Sequence, residues 1–151
     1  MSVDEFAFRL MDDEKGMLIA DFRPQNVQTR NPLPKAYPMT MESLFEKDAT
    51  RELSQRRRTN VFVAGSEAEE RRFAAVASEL GIENVVVLEG GYSALDRDIL
   101  RFDSTVVPKS GRSADVIRFR SQASVELPRI ISESAGSGQV KKKSKRVVGG
   151  C

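Results

Sequence analysis

The chain has 151 residues, 40% of them hydrophobic and 30% charged, with one cysteine, no histidine and a formal net charge of +2. That is ordinary usage for one globular domain with a single core. A lone cysteine excludes an internal disulfide framework and suits a reducing compartment. The lack of histidine removes the commonest general base, every Ser-His or Cys-His pair and most zinc sites, so neither a metal nor another cofactor is expected.

No apolar run approaches the roughly 20 residues of a membrane span, and the acidic start Met1-Ser2-Val3-Asp4-Glu5 has no signal-peptide pattern. A cytoplasmic protein, or the cytoplasmic-side module of a larger one, is expected. The net charge hides an asymmetry. Lys141, Lys142, Lys143, Lys145 and Arg146 crowd the end, and no acid follows Glu133. Residues 1–140 hold 19 basic against 22 acidic side chains, a formal −3. The folded part is mildly acidic, so the positive total is no sign of a nucleic-acid-binding domain.

In chain order, Ser2-x-x-Glu5 is a capping box, and Val3, Phe6, Leu10 and Met11 at helical spacing predict a helix to about Asp13. A first helix starting at residue 2 suggests a module of a longer protein. Met17–Ala20 is a short continuous apolar run, as for a strand buried on both faces, and it leads into Asp21-Phe22-Arg23-Pro24. Three prolines between 24 and 35 predict a loop. Ala36–Met39 reads as a short edge strand, Met41–Lys47 as a weak helix, and Arg51–Arg58 as a charged, solvated stretch. Val61–Ala64 is the next buried strand. Ala68–Leu80 is an amphipathic helix with Phe73, Ala74, Val76, Ala77 and Leu80 on one face, ended by Gly81. Val85–Leu88 is another strand, and Gly90-Gly91 turns into a helix from about Ser93 to Leu100.

This alternation predicts an α/β fold with a doubly covered parallel sheet. The domain is expected over residues 1–102. An extension over 103–132 holds one helix, with Val116, Phe119, Ala123 and Leu127 inward and Pro128 as its stop. Residues 133–151, rich in Ser, Gly, Lys and Arg, read as a disordered basic tail ending in Cys151.

Three elements together resemble the rhodanese-like family: the strand-end Asp21-x-Arg23, the strand–loop–helix unit from Val61 to Leu80, and Gly81-x-x-Asn84-Val85-Val86-Val87-Leu88-x-Gly90-Gly91-Tyr92. The resemblance spans about residues 2–102. It departs from the family at Leu95, near where a tryptophan often follows the double glycine. It implies a central parallel sheet of about five strands with helices on both faces. In catalytic members the loop after the Val61–Ala64 strand begins with a cysteine that carries a sulfane sulfur. Loop amides and the next helix N-terminus lower its pKa and cradle the persulfide.

Here the loop reads Ala64, Gly65, Ser66, Glu67, Ala68, Glu69, Glu70, Arg71. Counting back from Gly81 puts Ala64 at the cysteine position, and other loop lengths put Gly65 or Ser66 there. None is a thiol, and Ser66 has no histidine to activate it. The basic residue that usually closes the loop falls on Glu69, or on Arg71 in the Ser66 register. Glu67, Glu69 and Glu70 place three negative charges beside the cradle, each opposing an anion by about 2 kcal/mol at roughly 6–8 Å.

The expectation is therefore an inactive loop on a binding or regulatory module, which takes an unknown protein or a small anion near residues 64–71. Asp21 and Arg23 are expected to tie the sheet end to its loop, and Gly90 and Gly91 to supply turn angles closed to other residues. The alternative is a sulfurtransferase in which Cys151, on its cationic arm, carries the persulfide. The tail's other readings are a solubility tail or an electrostatic contact with an anionic surface, as in a peripheral membrane anchor.

Overall fold

The computed structural model describes residues 1–105 and 111–137. Four parallel strands, β1 (Met17–Asp21), β2 (Ala36–Pro38), β3 (Thr59–Val63) and β4 (Val85–Val87), form one sheet in the order β2-β1-β3-β4. The expected fifth strand is not found among the described residues; after β4 the chain turns at once into a helix. The sequence holds four short apolar runs and the sheet has one strand for each. In β3 the side chains alternate, Val61 and Val63 to one face and Phe62 and Ala64 to the other, so both faces are apolar.

On one face lie α1 (Val3–Met11), α5 (Gly91–Leu95) and α6 (Arg112–Ser137), which pack Phe6, Ala7, Leu95, Ala123 and Leu127 against Ile19, Val61 and Val63. On the other lie α3 (Lys47–Leu53) and α4 (Glu67–Glu79), with Leu44, Leu53, Phe73 and Ala77 against Ala20 and Phe62. The helix α1 starts as its capping residue requires, with Ser2 Oγ accepting the Glu5 N–H at 3.1 Å. The Glu5 carboxylate turns instead to Arg9, at 2.6 Å.

Four segments differ from expectation. In place of the helix expected over Met41–Lys47 there is a 3-10 turn at Glu42–Phe45, and α3 follows it to Leu53, into the stretch read as charged and solvated, because Ala49 and Leu53 are buried. The proline-rich loop contains a short helix, α2 (Gln25–Arg30), which buries no residue. Gln28 Nε2 holds it by donating to the carbonyls of Asp21 (2.9 Å) and Arg23 (2.7 Å), a tie with no apolar signature. After Leu95 the helix widens into a π-type turn over Asp96–Leu100, which seats Ile99 in the core. Most markedly, α6 runs through Pro128 to Ser137, past both the expected stop and the expected start of the tail. Proline removes one backbone hydrogen bond, but Leu127 before it is fully buried and Ile130 after it packs on the same core. Burial on both sides outweighs the lost bond. A bidentate pair between Arg120 and Asp4, both contacts 2.8 Å, further fixes α6 on α1.

Because α6 covers the sheet, Leu127→Ala is expected to cost about 2–5 kcal/mol in urea unfolding. Val125→Ala, at a position 71% exposed, should stay within about 0.5 kcal/mol. Equal effects would mean that α6 is not part of the core.

Candidate functional site

All four strands run the same way, so their C-terminal ends share one edge, where open α/β sheets place their sites. Three segments meet there: the end of β1 with Asp21 and Arg23, the loop 64–66 between β3 and α4, and the turn 88–91 between β4 and α5.

Asp21 and Arg23 are both buried and form a bidentate pair, Arg23 Nε to Asp21 Oδ1 at 2.9 Å and Nη2 to Oδ2 at 2.7 Å. The Arg23 N–H also donates to Oδ1, at 3.0 Å, and Nη2 donates to the Asn31 carbonyl, at 2.8 Å. The guanidinium lies 4.1 Å from the centre of the Tyr92 ring, a cation–π contact that links β1 to the turn. Burial pushes the Tyr92 hydroxyl above its usual pKa, against the pull of Arg23.

The turn is pressed onto the loop. Gly90 and Gly91 have φ of +76° and +65°, and a Cβ on Gly91 would stand 2.8 Å from the Glu67 nitrogen and the Ser66 carbonyl carbon. Only glycine fits both the angle and the approach. Tyr92 N–H donates to the Ala64 carbonyl (3.2 Å) and Ser93 Oγ to the Gly65 carbonyl (2.9 Å). Tyr92 and Ser93 complete the site; from the sequence, Tyr92 belongs to the double-glycine motif and Ser93 starts a helix, and neither has an assigned role.

Four backbone donors of this edge, the N–H groups of Ala64, Ser66, Leu88 and Gly90, are taken by the chain's own carboxylates. Glu70 is fully buried, and its Oε1 and Oε2 accept the N–H groups of Ala64 (2.9 Å) and Leu88 (2.8 Å). Glu69 Oε2 accepts the Ser66 N–H and hydroxyl, each at 3.1 Å, while Ser66 Oγ accepts the Glu69 N–H, a complete capping box at the start of α4. Glu67 Oε2 accepts the Gly90 N–H at 2.7 Å, and its Oε1 pairs with Arg71. The Gly90 amide, with Arg71, holds the Glu67 carboxyl below its ordinary range. Burial does the reverse to Glu70, raising it from 4.5 to about 7. The sequence pattern puts all three acids beside the cradle. In the structure Glu70 sits behind it, under the loop. Cys151 and the basic cluster 141–146 lie outside the described residues. Among those residues, no group of three or more acidic or thiol side chains is placed to hold a metal, and no helix is long and apolar enough to cross a membrane.

A parallel sheet covered on both faces, with a strand–loop–helix cradle at its C-terminal edge, fits the α/β fold that the resemblance to the rhodanese-like family implies. Among solved structures, the Alr3790 protein from Anabaena sp. aligns over 94% of each chain at 16% identity and a TM-score of 0.56. A protein of unknown function from Rhodopseudomonas palustris, described as a possible tyrosine phosphatase, aligns at 18% identity and a TM-score of 0.54, covering 62% of this chain and 76% of its own. A rhodanese-related protein from Thermoplasma volcanium aligns at 18% identity, over 63% of this chain and 87% of its own, with a TM-score of 0.48. Likeness at this level speaks for the fold and not for an activity. No protein-family model and no curated protein matches the chain.

The packing of turn on loop predicts unequal glycine effects. Gly81→Ala, at φ +76° with open space around it, is expected to cost about 1 kcal/mol. Gly91→Ala adds a backbone collision and is expected to cost about 3 kcal/mol or more. Urea unfolding checks both, and equal losses would contradict the close approach.

Proposed function

We propose that this rhodanese-like domain is a non-catalytic binding or regulatory module whose 64–71 face engages a protein partner. One observation carries the reading: Ala64, Ser66, Leu88 and Gly90 each donate their N–H to a carboxylate of the same chain. Two of them, the Ser66 and Gly90 amides, lie on the exposed side of the loop, where a bound anion or persulfide would draw on them. Ala64, Gly65 and Ser66 supply no thiol, and the Ser66 hydroxyl is committed to its capping box.

Of the two expected occupants, a small anion is disfavoured. It would have to displace a carboxylate from the amide it takes and approach the other two at short range, each opposing it by up to about 2 kcal/mol. A protein presenting basic side chains suits the same face, where Glu67, Glu69 and Glu89 reach the surface.

The domain is expected to form no thiocyanate from thiosulfate and cyanide, and thiosulfate should leave the amide resonances of residues 64–67 in place. Turnover that disappears in Cys151→Ser would replace this reading with a sulfur relay through the tail. A second measurement tests the cradle itself. In a Cys151→Ser background, the thiol of Ala64→Cys would sit where the present side chain is 1% exposed, beside Glu70. Its pKa, read from alkylation rate against pH, is expected at or above the ordinary value of about 8.5. A value below about 7 would show that the loop still activates a thiol.

A further inference from the structure

We propose that the Glu70 carboxyl is a proton-operated latch: ionised, it joins the ends of β3 and β4 through the Ala64 and Leu88 amides, and protonated, it releases one of them. The proposal holds whatever binds the face.

The geometry is that of a missing rung. The β3–β4 ladder ends at the pairing of Phe62 with Val87. The Ala64 and Leu88 amides lie just beyond it, and one buried side chain spans the gap with an oxygen for each. Two N–H donors facing two oxygens match a carboxylate. A carboxylic acid keeps one good acceptor and turns its other oxygen into a donor, so one amide loses its partner. Among the described residues no lysine or arginine forms an ion pair with Glu70.

Few charges reach it. Glu67, one turn back on α4, disfavours ionisation. The Met1 amino group, which donates to the Val87 carbonyl at 3.0 Å, favours it. The neighbouring charges are engaged elsewhere: Arg71 with Glu67, Arg23 with Asp21, and Glu69 with Ser66. Desolvation outweighs the two amide bonds, and the carboxyl is raised from 4.5 to about 7, so the latch works near neutral pH. The sign follows. The folded value lies above the unfolded one, so the stability that protonation confers is fully present below about pH 4.5 and is lost as pH rises through about 7. The closed latch is the costlier state and opens readily.

The test is a pH titration of the full chain, with glutamate carboxyl carbons and backbone nitrogens labelled for NMR. One carboxyl resonance should titrate near 7, and the amide resonances of Ala64 and Leu88 should move with the same midpoint. Glu67→Gln should lower that midpoint. Glu70→Gln should erase the transition and flatten the rise in urea midpoint expected between about pH 8 and pH 5. If that variant does not fold, the wild-type and Glu67→Gln titrations decide alone. Glutamates that all titrate below about 5, or amides at 64 and 88 that ignore pH, would overturn the latch.

Discussion

The C-terminal edge of this sheet depends on one arrangement: a buried carboxylate, Glu70, that accepts the last free amides of two neighbouring strands. Parallel strands end in a row of unpaired backbone groups, and a buried N–H without a partner costs about 1–3 kcal/mol. In an anion-binding site the ligand satisfies such groups. Here a residue six positions after the loop begins does so from inside the fold. The edge is closed internally at these two amides.

The remaining contacts of the site hold the turn where that carboxylate can reach Leu88. The Asp21–Arg23 pair stiffens the end of β1 and offers a guanidinium face to Tyr92. The Tyr92 amide and Ser93 hydroxyl then bind the loop carbonyls at 64 and 65. Gly91 lets the two backbones approach to a distance at which any side chain would collide. Removing one member of the buried Asp21–Arg23 pair would strand the other's charge, a loss of about 3–5 kcal/mol. The pair matters here as a support for the turn.

Legibility in the sequence follows the kind of force involved. The inner strands β1 and β3 were readable as short apolar runs buried on both faces, the edge strand β2 less so because it is half exposed, and α4 because its apolar residues recur on one side. The helix α2 was not, because it buries nothing and hangs on Gln28, whose amide bonds leave no periodic trace. Pro128 was misleading as a stop because Leu127 and Ile130 hold the helix from outside its own backbone. At the site, the missing thiol was legible by position, and so were the three acids. Their direction was not. Glu67, Glu69 and Glu70 look alike in a polar run, yet one caps a helix, one holds a turn and one is fully buried.

That difference in direction decides which electrostatic sign the edge shows to a partner. Loop amides and the N-terminus of α4 carry partial positive charge and by themselves attract anions. Three carboxylates on the first turn of that helix, Glu67, Glu69 and Glu70, neutralise it. Two of them keep part of their charge at the surface, where Glu89 adds a third acid 66% exposed. On the proposed reading, this edge repels anions and offers acceptors to a basic partner. Residues 1–140 carry a mild net negative charge, the same sign as these surface acids, while the whole chain is +2. The sign of this edge is thus set by side chains on the first turn of α4, while its backbone amides and helix start are of the kind that attract anions.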